Sequence, residues 1–196
     1  MNRRELLRVL GASALLPALP DRSAERLGAA GRRVHARARS RGLQVLDPHQ
    51  SETVATIAEL IIPTTDTPGA RAAEVHRFID LLLAEWGTDD ERAQFLKGLA
   101  DVDARTRTAF GVDFLSATDA QRGTILTQLD AEAQSQRGGA ERDRQPPFFQ
   151  QMKWLTVFGY CTSEVGATAE LHYEVIPGSY DGCTDLRRAS AGPGDF

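Results

Sequence analysis

The stretch Phe148–Cys183, FFQQMKWLTVFGYCTSEVGATAELHYEVIPGSYDGC, decides the fold. Its first part has helical spacing and is apolar on nearly every side. Phe148, Met152, Leu155 and Gly159 recur at steps of four, three and four, and Trp154, Phe158 and Cys161 repeat the pattern on a neighbouring face. Only Gln150, Gln151, Lys153 and Thr156 are polar, so little of the circumference prefers water. A helix apolar all round is buried in its own domain or covered by something else. The end of the stretch, with Gly178, Tyr180, Gly182 and Cys183, reads as an ordered loop.

The segments before it supply partners of the same kind. Asp47 is a good N-cap and Pro48 suits the first helical position. Val54, Ile57, Ala58 and Ile61 then keep amphipathic spacing until Pro63 opens a turn-rich connection to Gly69. Val75, Phe78, Ile79, Leu82, Leu83 and Trp86 form the clearest stripe, ended by Gly87. Thr88 or Asp89 caps a third helix carrying Phe95, Leu99, Val102 and Thr106, closed by Gly111. Ser116, Thr118 and Asp119 offer caps for another helix, with Gln121 three residues after Thr118 as in a capping box, before Ile125, Leu126 and Leu129. Residues 135–145 read as a polar loop, and Pro146-Pro147 introduces the Phe148 helix. No segment alternates with period two over a strand's length, so the fold expected is a single all-α domain of five or six helices over 46–185.

Outside that domain the chain changes character. Arg3, Arg4, Leu6 and Leu7, followed by an apolar run to Leu19, match the twin-arginine export pattern, with Pro17 and Pro20 at its end. The plainer alternative is an amphipathic helix that starts with two arginines. No clean small-x-small cleavage site follows. Residues 21–43 are rich in Arg, Ala and Gly, with Arg32, Arg33, Arg37, Arg39 and Arg41 clustered and no apolar periodicity. They read as a basic linker, or as a contact for an anionic lipid or acidic partner. The leader and linker together occupy 1–45, and 186–196 reads as a flexible tail. A formal net charge of −4 argues against general nucleic-acid binding. No window approaches the 18 or so uninterrupted apolar residues of a membrane-spanning helix.

The search for chemistry returns little. No dinucleotide glycine motif follows a strand, and no phosphate-binding loop, Gly-x-Ser-x-Gly elbow, His-Glu-x-x-His or haem-attachment motif occurs. His35 falls in the linker, His49 in a first helical turn and His76 beside the Val75 stripe, which are poor positions for ligands. His172 alone lies near the aromatic block, with no second ligand at suitable spacing. The carboxylates fall on polar helix faces, and Asp101 and Asp103 point to different faces. Cys161 and Cys183 are the only cysteines. After export they would form a disulfide worth about 3 kcal/mol on loop entropy; without export they read as buried or idle thiols.

Four short motifs in register carry a family resemblance. Ile62–Ala70 (IPTTDTPGA), Phe95-Leu96-x-Gly98-Leu99 with Phe114, the Phe148–Gly166 pattern and Pro177-Gly178-x-Tyr180-x-Gly182-Cys183 resemble the gluconate 2-dehydrogenase subunit 3 family over about residues 46–185. The resemblance implies a non-catalytic small subunit of a periplasmic dehydrogenase complex. It implies a large FAD-binding partner of the glucose-methanol-choline oxidoreductase type, a c-type cytochrome carrying haem c as electron acceptor, and no cofactor or metal in this chain. It also implies a role in maturing the large subunit and escorting it through the twin-arginine route, on a sugar or sugar acid left unspecified. The matching motifs and the aromatic face supply the partner-interface candidates Thr65, Asp66, Pro68, Phe149, Trp154, Phe158, Tyr160 and Tyr180. Two other classes compete with the escort role. One is a stand-alone periplasmic enzyme using His172, and the other a ligand-binding or sugar-binding helical module walled by Trp154, Phe158 and Tyr160.

Overall fold

The computed structural model describes residues 33–136 and 146–171. They hold six α-helices: α1 over 33–40, α2 Pro48–Ile61, α3 Val75–Glu85, α4 Asp89–Phe110, α5 Asp119–Gln136 and α6 Phe148–Cys161. A π-helical turn, Gly166–Glu170, follows α6. No strand occurs among the described residues, so the all-α expectation holds.

The helix starts follow local capping chemistry. The Asp47 carboxylate accepts the Gln50 N–H while the Gln50 side chain accepts the Asp47 N–H. Thr88 and Glu91 form the same reciprocal pair at α4, and Thr118 and Gln121 at α5. Gly111 ends α4 at φ 77°, a left-handed position where a side chain would be strained. The connection from α2 to α3 is knitted by Glu59. Its carboxylate accepts the backbone N–H of Thr64 at 2.9 Å and of Arg71 at 2.8 Å, and the Thr64 hydroxyl at 2.7 Å. Burial opposes ionisation of Glu59, but these hydrogen bonds outweigh it and hold its pKa below the ordinary value.

Helix α6 is the hub, packing against α2, α3, α4, α5 and the π-turn. It buries Phe149, Met152, Leu155, Thr156, Gly159 and Tyr160 against a core built on Ile57, Ile79, Phe95, Phe114 and Ile125. The α4–α6 approach is close. A methyl group on Gly98 would lie 2.6 Å from Phe148 Cβ, so only glycine fits there without displacing α6. Two of the motif stretches meet directly, because the Tyr160 hydroxyl donates to the Pro68 carbonyl at 2.7 Å.

The structure corrects several expectations. The segment read as a linker contains α1, which escapes a periodicity search because its only buried side chains are His35 and the small Ala38. Arg37 and Arg41 reach Glu85 at 2.8 and 3.0 Å, and the Arg39 carbonyl accepts from Arg77 at 3.0 Å. Not all carboxylates face water. Asp80 is 3% exposed and accepts the backbone N–H groups of Gln44, Val45 and Leu46 at 2.8–2.9 Å. Asp103 is buried too, accepting the Phe114 N–H at 3.0 Å and lying 2.7 Å from His49 Nε2. Thr156, counted as polar, is completely buried. Phe149 and Tyr160 are 6% and 3% exposed, so both serve the chain's own core and offer no surface to a partner.

Candidate functional site

Because α6 meets four helices, its burial cannot be complete on every side. Trp154, Val157 and Phe158, at steps of three and one, fall on its exposed arc, and Trp154 is 60% exposed. Helix α3 presents Phe78, Leu82 and Trp86 at successive steps of four toward that arc, and α1 closes one edge with Val34 and His35. Between them lies an open groove of about 460 Å³ whose lining is overwhelmingly apolar.

An unbroken run of rings crosses this groove. Trp154 stacks on Phe158 at 5.1 Å and 6°, and Phe158 tilts against Phe78 at 5.9 Å. Phe78 in turn stacks on His35 at 4.5 Å and 12°. The run passes from a half-open surface to a closed interior, with His35 held by a 3.2 Å hydrogen bond between Nε2 and Thr162 Oγ1. Burial pushes the His35 pKa down and the positive charge of Arg39 adds to this, while the hydrogen bond to Thr162 offsets only part of it. Trp86 lines the same groove, and its Nε1 is enclosed without an acceptor among the described residues.

Such a surface suits apolar contact. Stacked, partly exposed aromatics in a concave setting are the usual anchors of protein interfaces. No cluster of three or more metal-ligating side chains occurs among the described residues.

Of the residues singled out from sequence, Trp154 and Phe158 are brought together here. Thr65, Asp66 and Pro68 lie in the exposed α2–α3 connection and do not line the groove. Thr65 instead donates to Asp66 at 2.8 Å, which holds the Asp66 pKa below its ordinary value. Cys161, at the end of α6, is half-buried against the core and pairs with no described cysteine. Arg3, Arg4, Leu6, Leu7, His172, Tyr180 and Cys183 lie outside the described residues. The sequence reading missed His35, Phe78, Leu82 and Trp86 as groove residues. The last three stood in the α3 stripe but were indistinguishable there from core positions, and His35 had no apolar pattern around it.

No helix among the described residues is long and apolar enough to cross a membrane. Comparison with curated proteins and with solved structures returns no match. The family model for gluconate 2-dehydrogenase subunit 3 matches residues 48–178, from the first residue of α2 to beyond the π-turn, and the chain belongs to that family.

Proposed function

We propose that this chain is the non-catalytic small subunit of a periplasmic, FAD-dependent sugar or sugar-acid dehydrogenase complex. It binds the large flavoprotein of the glucose-methanol-choline type, aids its maturation and accompanies it through the twin-arginine route. FAD belongs to the large subunit and haem c to a cytochrome that takes the electrons.

The observation that carries this reading is the exposed Trp154–Phe158 stack over an apolar groove, on a chain whose family is named as a dehydrogenase subunit. Apolar rings left half in water cost free energy that a partner's surface recovers. Interface anchors of this kind contribute about 2 kcal/mol or more each.

Co-expression with a flavoprotein subunit of the glucose-methanol-choline type tests the idea. The wild-type chain brings down a partner with flavin absorbance, and Trp154→Asp with Phe158→Asp reduces that recovery by about tenfold or more. A double variant that folds normally and still recovers flavoprotein in full would end the proposal. A sugar-binding role is less well supported, because two of the polar groups lining the groove, His35 and Thr162, are already bonded to each other. A sugar that raises the melting temperature of the isolated chain would favour that alternative.

A further inference from the structure

The groove opens beside the point where the N-terminal chain enters the domain. Val34 and His35, in the first turn of α1, line it directly. Thirty-two residues precede α1, outside the described residues, and they contain the apolar run Val9–Leu19 behind Arg3, Arg4 and Arg8. We propose that in the free chain this run of its own leader seats in the groove and covers Trp154 and Phe158.

Reach, concentration and charge support this occupant over others. Residues 20–32 span up to about 40 Å when extended, whereas α3, which forms one wall, is only about 16 Å long. A tether of that kind holds the run at an effective concentration on the order of millimolar. A segment with a Kd of about 100 μM would then be seated roughly nine-tenths of the time, which a second copy at micromolar concentration could not match. The groove also has an acidic margin. Glu91 lines it while capping α4 through Thr88, Asp89 pairs with Arg92 at 3.0 Å, and Asp90 shares the same first turn. The leader's arginines supply the complementary charge.

The edge formed by α1 lies before residue 48, where the family match begins. If the flavoprotein docks on this face, as proposed above, it must displace the run, and the leader becomes free only on assembly. That consequence rests on the docking reading; the seating itself does not.

The test uses the full chain alone. A photoreactive benzophenone amino acid in place of Leu16 should cross-link within the monomer to peptides of α3 or α6. Both tryptophans line the groove, so the combined variant Leu10→Asp, Leu15→Asp, Leu16→Asp should raise acrylamide quenching of tryptophan fluorescence by about twofold or more. These changes lie outside the helical domain, and retained far-UV helicity with a cooperative melting transition, shifted down as loss of a bound segment requires, verifies that quenching reports seating. Unchanged quenching, cross-links only to other surfaces, or cross-links only between two chains would each overturn the proposal. Because no flavoprotein is present, such failures leave the docking reading intact; that reading stands or falls on recovery of flavin with the Trp154 and Phe158 variants.

Discussion

A carboxylate buried in an all-helical core must find compensation, because an unpaired charge in a low-dielectric interior is costly. Asp80 finds it in three backbone N–H groups of the chain entering α2, so a single side chain of α3 holds the α1–α2 connection in place. Asp80→Ala leaves those donors without a partner. The expected loss is about 3 kcal/mol, read by chemical denaturation. Thr156 is the opposite case, since its Oγ1 is enclosed with no partner among the described residues. Thr156→Val keeps the shape and removes the unmet polar group, so stability should rise by about 1 kcal/mol. Neither residue was legible in the sequence. An aspartate or a threonine in an amphipathic helix looks like part of its wet face, and only the neighbouring elements decide otherwise.

At the scale of elements, α1 and α6 carry the most information. Helix α1 is too short to be stable alone and depends on its docking contacts. One of these is titratable. The folded-state pKa of His35 is lowered, so its contribution to stability is complete above the unfolded value near 6.5. It is lost as pH falls below that value toward the folded pKa. His76, also lowered by burial, acts in the same direction. The lowered carboxylates Glu59, Asp66, Asp113 and Glu132 begin to matter only further down, below about 4.5. The melting temperature should therefore drop between pH 7.5 and 5.5. His35→Phe, which retains the ring against Phe78, should flatten that drop, and an unchanged slope would remove His35 from the account. The α4–α6 contact offers a second check. Gly98→Ala gains about 1 kcal/mol of helix propensity but forces α6 outward through Phe148. Overpacking of this kind costs about 1–3 kcal/mol, so the expected net effect is a loss of about 1 kcal/mol in a denaturation midpoint.

At the scale of the molecule, the export and assembly proposals join the two ends of the chain. Arg3→Lys with Arg4→Lys should leave the flavoprotein in the cytoplasm, read by fractionation and flavin content; normal periplasmic recovery would show the leader to be dispensable. Sequence by itself determined the all-α class, the caps at Asp47 and, with Gln121, Thr118, the start of α4 at Thr88 or Asp89, the stop at Gly111 and the apolar character of the Phe148 helix. These are legible because capping and periodicity are local properties of a few neighbouring residues. The motif glycine at Gly98 was visible, but its reason, the approach of Phe148, was not. Only tertiary structure decided that Phe149 and Tyr160 face inward while Trp154 and Phe158 face out, since every side of that helix is apolar enough for either fate. The same holds for His35, whose place in a ring stack depends on Phe78 and Thr162, residues far along the chain. Burial is settled by which elements arrive on each side, and that is a property of the packed assembly of helices rather than of any one of them.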